Sequence, residues 1–550
     1  MRRVLSVPSM NLHLLVVVFL VSWASSSSAQ DHLSFIQCLK LYSDPLFPIS
    51  TNLYNPEDAS YSSVLRASIR NLRFNESSTP KPRLIITATH ESQVQAAILC
   101  GKNHGLEMRT RSGGHDYEGS SYVSYVPFFI LDLLNFRSID VNIKEETAWV
   151  QAGATLGELY YAIANKSNVH GFPAGMCPTV GVGGHFSGGG FGNMMRKYGL
   201  SVDNIIDAKI VDVQGRILGR ESMGEDLFWA ITGGSAASFG LVLAYKIKLV
   251  PVPKNVTVFQ VAKTGEDNIT ESVHRWLEIA DGFDRDVFLH MILDVANRGE
   301  VNKNKTIRAK YIGFFLGDSQ RLISLMNETF PELGLQKQDC QEVSWIESVV
   351  YWGNFSINNG TSTEVLLNRT PSELYHRKMK SDYLQRSIPK EGLKLIFKKM
   401  VELEAPYMFF FHYGGKMSEI SPDAKPFPHR AGNIANIMYG TDWIEYGFEA
   451  DEYYSGLTRK LYDFMTPFVS KFPRQAYFNF KDFDLGVNHH GEHSYLQGKG
   501  YGCKYFKENY DRLVEIKSRV DPENYFKNEQ SIPVRPFPEE GKLKEGVSVI

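Results

Sequence analysis

GMCPTVGVGGHFSGGGFG, Gly175 to Gly192, is the most glycine-dense stretch of the chain. Glycine lets backbone N–H groups come close to a phosphate, so such a stretch can hold a nucleotide pyrophosphate. The spacing is not that of a Rossmann turn, because Phe186 stands where the third glycine belongs, and no Gly-Lys-Ser/Thr follows to make a P-loop. Taken alone, a flexible glycine-rich turn explains it equally well. A second loop, RSGGHDYEG from Arg111 to Gly119, places His115 directly after a glycine pair. His115 and Cys177 therefore each stand beside a glycine-rich turn.

The segments around these loops read as a β/α-like region. LIITATH (Leu84 to His90) is a strand, and ESQVQAAILCGKNHG (Glu91 to Gly105) is a helix with a glycine stop. EMRTRSGGH is a strand entering the first loop, and FFILDLLN is a buried strand. TAWVQAGAT is another, followed by the helix LGELYYAIAN. IIDAKIVDVQGRIL reads as a hairpin turning at Gln-Gly. Pro251 and Pro253 mark a joint, after which the pattern changes. Strands such as VFLHMILDV and APYMFFFHYGG alternate there with helices such as SVHRWLEIA and SELYHRKM, as in an α+β domain with helices on one side of a sheet. A helix within NYDRLVEIKSRVDPENYF returns to the first domain, and FPEEGKLKEGVSVI is a loose tail.

With 550 residues, 43% hydrophobic and 22% charged, the chain has room for two or three domains. Lys+Arg at 59 against Asp+Glu at 61 gives no basic excess, which argues against nucleic acid and against charge-driven membrane docking. Aromatic residues at 12% suit a site for flat organic molecules. Arg2 and Arg3, the apolar run Leu14 to Val21 and the small residues of SWASSSSAQ make a secretory signal cut near Ala29–Gln30. The run is too short to span a membrane, which takes roughly 20 apolar residues. A secreted or vacuolar protein is expected, and a monomer. Of the five cysteines, Cys38 and Cys100 are expected to pair, and an odd count leaves at least one otherwise engaged. Sequons at Asn75, Asn165, Asn255, Asn268, Asn304, Asn327, Asn354, Asn359 and Asn368 agree with the secretory route. HHGEH, His489 to His493, has spacing that suits zinc, but it lies in a glycine-containing loop without a third ligand, so a solvated loop and no metal are expected. No GxSxG elbow is present for a serine hydrolase.

RSGGHDYEGSSY, GMCPTVGVGGHFSGGGFGNMMRKYGLSVDNIIDAKIVD, GEDLFWAI, AYFNFKDFDLGVN and DPENYFKNEQSIP together resemble the plant berberine-bridge-enzyme-like flavoproteins, a family that also holds cannabinoid synthases and monolignol oxidoreductases. The resemblance covers nearly all of the chain after the signal, in order. It implies an α+β, two-lobed fold of the vanillyl-alcohol-oxidase/PCMH type. Its parts would be a signal at 1–29, a helical segment at 30–77, the FAD-binding domain at 78–254 and the substrate domain at 255–475. A C-terminal segment at 476–536 would pack back on the FAD lobe, with the tail at 537–550. It also implies FAD attached covalently through His115 and Cys177, two links that orient the ring and withdraw electron density. Arg111, Ser112, Gly113 and Gly114 would cradle the pyrophosphate. Gly181, Gly183, Gly184 and His185 would line the cofactor, with Asn193 near it. Val180, third after the linking cysteine, resembles the residue that admits O2, whereas leucine there goes with dehydrogenases. The implied activity is that of an oxidase passing a hydride from an aromatic or alkaloid-type small molecule to FAD, with O2 as acceptor.

The sequence departs from the family where protons are handled. Phe480 and Lys481 stand in NFKDFDLG where the family has tyrosine and arginine in NYRDLDLG, and Phe191 replaces the tyrosine of GGGYG. Asn436 and Met438 stand where lysine or glutamate and glutamine or glutamate are usual. Phe and Met exchange no protons, and Asn does not titrate. Thr232, Ser235 and Ala236 also replace an arginine and two glycines. Three readings follow: oxidation of an amine, which needs no base; replacement by His290 or His412 on pocket-facing strands, with Tyr413 and Tyr439 in reserve; or a flavin-roofed template for non-redox cyclisation, as in Diels–Alder catalysts resembling this family. A binding protein with a vestigial flavin is a further class. Either histidine serves equally well as a core residue.

Overall fold

The runs IIT and FFILD carry no polar alternation, which marks strands covered on both faces; they form the centre of the first lobe's mixed sheet. The computed structural model describes residues 33–536 apart from 298–304, 358–359, 372 and 492. The expected signal and the tail from 537 lie outside the described residues. Strands β1 (Leu53–Tyr54), β2 (Ile85–Thr87), β3 (Glu107–Arg111) and β4 (Phe128–Asp132) run in the order β1-β2-β4-β3, with β4 parallel to β2 and β3. A second, antiparallel sheet has β5 (Ile139–Asn142), β6 (Thr147–Gln151), β8 (Ile205–Val211), β9 (Ile217–Leu218) and β10 (Leu241–Lys248) in the order β5-β6-β10-β8-β9. Strands β7 (His170–Gly171) and β11 (Val250–Pro251) form a short ribbon.

The expected disulfide joins Cys38 to Cys100, tying the N-terminal segment to the helix Glu91–Asn103. The bond closes a separation of 62 residues. Replacing both cysteines by serine is expected to lower stability by about 4 kcal/mol through the freed unfolded chain, read as a fall in Tm.

Beyond the prolines the chain enters a seven-stranded antiparallel sheet. Its strands are β12 (Val256–Thr264), β13 (Val287–Asn297), β14 (Lys305–Phe315), β15 (Cys340–Val343), β16 (His376–Leu384), β17 (Tyr407–His412) and β18 (Ala435–Trp443), in the order β15-β12-β14-β13-β17-β18-β16. The segment SELYHRKM, expected to be helical, is corrected here: from His376 it is β16, paired along its length with β18. Its lysines mimic a solvated helix face, yet Lys378 and Lys380 are buried. Lys378 binds Glu118 at 2.5 Å and Asp482 at 2.8 Å, and Lys380 binds Asp482 at 2.5 Å. Distant acidic partners thus carry these charges into the sheet.

The two faces of this sheet differ. Met291, Leu293, Ala309, Tyr311, Met408 and Ile437 pack under the helices Glu266–Ile279, Ser319–Thr329, Lys390–Leu403 and Phe448–Phe464. On the other face Ile292, Asp294, Arg308, Lys310, Ile312, Tyr407 and Phe409 are only half-buried. A strand whose alternate residues remain half-open looks into a cleft and not into a core. That cleft faces the first lobe, and the C-terminal helices Ser494–Phe506 and Asn509–Val520 return to the same lobe. Lys517 there donates to the Ser238 carbonyl at 2.7 Å, and Glu529 pairs with both terminal nitrogens of Arg109. No helix among the described residues is long and apolar enough to cross a membrane.

Candidate active site

Two glycine loops meet at the base of the cleft. A Cβ on Gly113 would lie 2.3 Å from the Gly181 nitrogen, so the two backbones touch only because both positions are glycine. Gly114, at φ +71°, presses on the Ser68 carbonyl, and Ser112 donates to the Ala152 carbonyl at 2.6 Å. Gly183 packs on the same carbonyl, with Gly181 starting the short helix Val182–Ser187. Space stays open around Gly184. The loops close through His115 Nε2 and Thr179 Oγ1, 3.0 Å apart, which places His115 beside the turn that carries Cys177. The Cys177 thiol is open to the cleft.

Charge at this junction is set by burial and two arginines. Burial, with Arg70 and Arg377 adding to it, pushes His115 down to about 3, so its ring is neutral. Burial pushes the Cys177 thiol up, and Arg377 pulls it down. His185 accepts from the Gly175 N–H at 2.9 Å and is pushed down to about 4 by burial, so it buttresses the loop that precedes Cys177. Val180 is half-buried, its N–H bonded to the Cys177 carbonyl.

The Arg111 side chain, expected with its loop to cradle pyrophosphate, turns away from the glycine loops. Its guanidinium is fully buried, donating to Asp132 at 2.7 Å and to the Leu65 and Val64 carbonyls at 2.8 and 2.9 Å. Those partners hold it inside the lobe, as the anchor from which the loop springs. Thr232 likewise turns inward, its hydroxyl donating to the Phe228 and Trp229 carbonyls. In HHGEH, His489 and His493 are exposed and His490 lies 3.0 Å from the Asn528 carbonyl; Glu492 lies outside the described residues.

The roof separates the four candidate proton carriers. His412 faces the helices and not the cleft: its Nδ1 donates to the Ala280 carbonyl and its Nε2 accepts from the Leu289 N–H, both at 2.8 Å. With both nitrogens engaged it is a core residue. Tyr439 is on that face too, its hydroxyl donating to Asp382 at 2.9 Å. Tyr413 is buried on the lobe-facing side, 3.3 Å from the Tyr383 hydroxyl. Of the two histidines, only His290 presents free nitrogens: it is buried among Phe288, Trp352, Phe409 and Phe411, and neither ring nitrogen has a partner. Burial pushes it down to about 3, leaving a neutral imidazole.

The altered positions converge. Phe191 lies 4.8 Å from Phe411 and 5.8 Å from Phe480, ring to ring, and Asn436 and Met438 stand on the same sheet face. Trp352 Nε1, Asn193 Oδ1 and Asn436 Oδ1 are, like the His290 nitrogens, buried without a hydrogen-bond partner. Buried polar atoms are nearly always paired, so a group of orphans around one cleft marks a place for a ligand. Open glycine loops, a neutral imidazole and a cleft-facing thiol fit a flavin dinucleotide bound along the base. Tyr407, Arg377 and Asp442, also on the cleft face, escaped the sequence reading. Alternation in YMFFFH would have marked Tyr407, but the helical reading of SELYHRKM hid Arg377.

Comparison with known proteins agrees with this geometry. Residues 82–219 match the model of the FAD binding domain, and residues 476–533 match berberine and berberine-like. Berberine bridge enzyme-like 8 of Arabidopsis thaliana is 56% identical over 528 residues, 95% of this chain and 99% of that protein. The solved structure of BBE-like 28 from Arabidopsis thaliana gives a TM-score of 0.84 at 44% identity, covering 91% of this chain and 99% of that one. Phl p 4, a grass pollen allergen with glucose dehydrogenase activity, gives 0.84 at 41% identity over 91% and 99% of the two chains. An isoleucine-to-valine variant of Phl p 4 is named a glucose oxidase.

Proposed function

Because the chain belongs to the berberine bridge enzyme-like family of FAD-linked oxidoreductases, we propose that it oxidises an aromatic or alkaloid-type small molecule, with FAD held through His115 and Cys177 and O2 as the final acceptor. When bound, FAD supplies the two-electron acceptor for the substrate's hydride. The carrying observation is the roof: Phe191, Phe409, Phe411, Phe480, Trp352 and neutral His290 form a box of aromatic rings. A flat aromatic ring gains more contact area against these rings than glucose, the sugar in the name of Phl p 4. The two His290 ring nitrogens and Trp352 Nε1 are free to orient such a ring. Val180, which by the family resemblance occupies the position that admits O2, supports O2 as the acceptor. The disulfide Cys38–Cys100 and the sequons support passage through the secretory route.

A second reading, non-redox cyclisation on the same roof, draws on the loss of proton carriers at Phe191, Met438 and Phe480. The two separate under anaerobic mixing with a library of aromatic alcohols, phenols and amines. Bleaching of the flavin band, at about 450 nm, is the expected result; product formed while the flavin stays yellow would sink the oxidase reading. Val180→Leu is expected to leave bleaching intact and to slow peroxide release on readmission of air.

A further inference from the structure

The pleat and register put an unused polar group on the cleft face. Tyr407 stands opposite Gly440, and Arg377 stands opposite Asp442 in the next row of the same face. A Cβ on Gly440 would lie 2.5 Å from the Tyr407 ring and 2.6 Å from its hydroxyl oxygen. The missing side chain therefore lets the phenol lie across β18 toward Asp442. Arg377 donates to Asp442 Oδ2 at 3.1 Å, while Asp442 Oδ1 and Arg377 Nε are buried without a partner. Tyr407 is half-buried, edge-on to Phe409 with ring centres 5.4 Å apart. Asn71 pins the assembly to the flavin-side loop, donating to the carbonyls of both Tyr117 and Arg377.

We propose that Tyr407 takes the proton of a phenolic or alcoholic hydroxyl bound under the sheet while passing its own proton to Asp442. The substrate O–H bond breaks and a new O–H forms on the Tyr407 oxygen; the old Tyr407 O–H breaks and one forms on Asp442 Oδ1. The negative charge moves from Asp442 to the substrate oxygen, still within the field of Arg377, and no oxidant is consumed. This supplies what Phe480, Phe191 and Met438 lack. The groups facing Tyr407 are Asp442, Arg377 and Tyr117; Tyr375 also acts on Asp442, and Cys177 on Arg377. Burial raises Asp442 above the usual carboxylate range against the pull of Arg377 and the Tyr407 hydroxyl, which suits a terminal proton acceptor.

The relay rests on the cleft being the substrate site, not on redox turnover, so its test reads protonation instead of rate. The probe is 4-nitrophenol, whose phenol and phenolate differ in colour, titrated against the holoenzyme by difference spectroscopy. In the wild type the bound probe is expected to lose its proton at least one pH unit below free solution, a tenfold shift in the equilibrium. Tyr407→Phe and Asp442→Asn are expected to abolish that shift. Gly440→Ala, which keeps every polar group but displaces the phenol, is expected to do the same, and it covers the case in which Asp442→Asn fails to fold. A wild type that binds no probe or leaves its protonation unchanged overturns the proposal, as does an undiminished shift in Tyr407→Phe. A flavin that never bleaches would remove the oxidase reading and leave this readout standing.

Discussion

Alanine at both His115 and Cys177 is expected to free the flavin: acid-precipitated double variant gives a white pellet and a yellow supernatant, while each single variant keeps its colour in the pellet. The expectation rests on how the loops meet. His115 is held beside the Cys177 turn by Thr179, and its neutral ring keeps a lone pair available for bonding. Cys177 opens to the same cleft, where burial pushes its thiol up and Arg377 only partly offsets that. Each single variant is expected to pass electrons to the flavin about 100-fold more slowly, because a displaced ring loses its alignment with the substrate. Yellow tryptic peptides lacking His115 or Cys177 would refute double attachment, as would a pellet of the double variant that stays yellow.

Acid is expected to unfold the protein over a narrow interval below about pH 6, because its interior holds neutral histidines. Burial pushes His185 and His490 down to about 4, His290 and His429 down to about 3, and His412 well below the usual range. An unfolded histidine takes up its proton near pH 6.5, roughly, whereas these side chains refuse it until far lower pH. The unfolded state then binds more protons than the folded one, so stability is lost as pH falls from about 6.5 toward about 4. Each histidine costs about 1.4 kcal/mol per pH unit in that window, and five together approach the whole stability of a domain. Asp382, raised to about 6 by burial, works in the opposite direction and offsets part of the slope. The measurement is Tm against pH, and His490→Asn is expected to flatten the curve by about one histidine's share. A Tm that does not fall between neutral and about pH 5 would contradict this account.

Much of the base of the site was legible before the structure. The glycine loops expected to hold the cofactor are contiguous stretches whose chemistry is local: glycines, one histidine and one cysteine at fixed offsets. The departures at Phe191, Asn436, Met438 and Phe480 were legible too, and they converge on one cleft. The resemblance places Arg111 in the loop but does not tell where its side chain points; Asp132 and two carbonyls draw the guanidinium inward. Sequence leaves His290 and His412 equal, because two histidines in two apolar strands look alike in sequence.

Residue identity and short-range order are enough to place the chain in its family and to mark the two glycine loops, the cysteines expected to pair and the absence of titratable groups at Phe191, Asn436, Met438 and Phe480. Which side chains face the cleft is a property of the tertiary structure alone. Successive strand residues point to opposite faces, so hydrogen-bonded register against neighbouring strands separates His290 from His412. The same register brings Arg377, Tyr407 and Asp442 together from three segments of the second lobe. Lys378 and Lys380 enter the sheet only because Glu118, Asp482 and Asp484 arrive from remote parts of the chain. Burying a charge is possible where an opposite one waits, and no local pattern announces that partner.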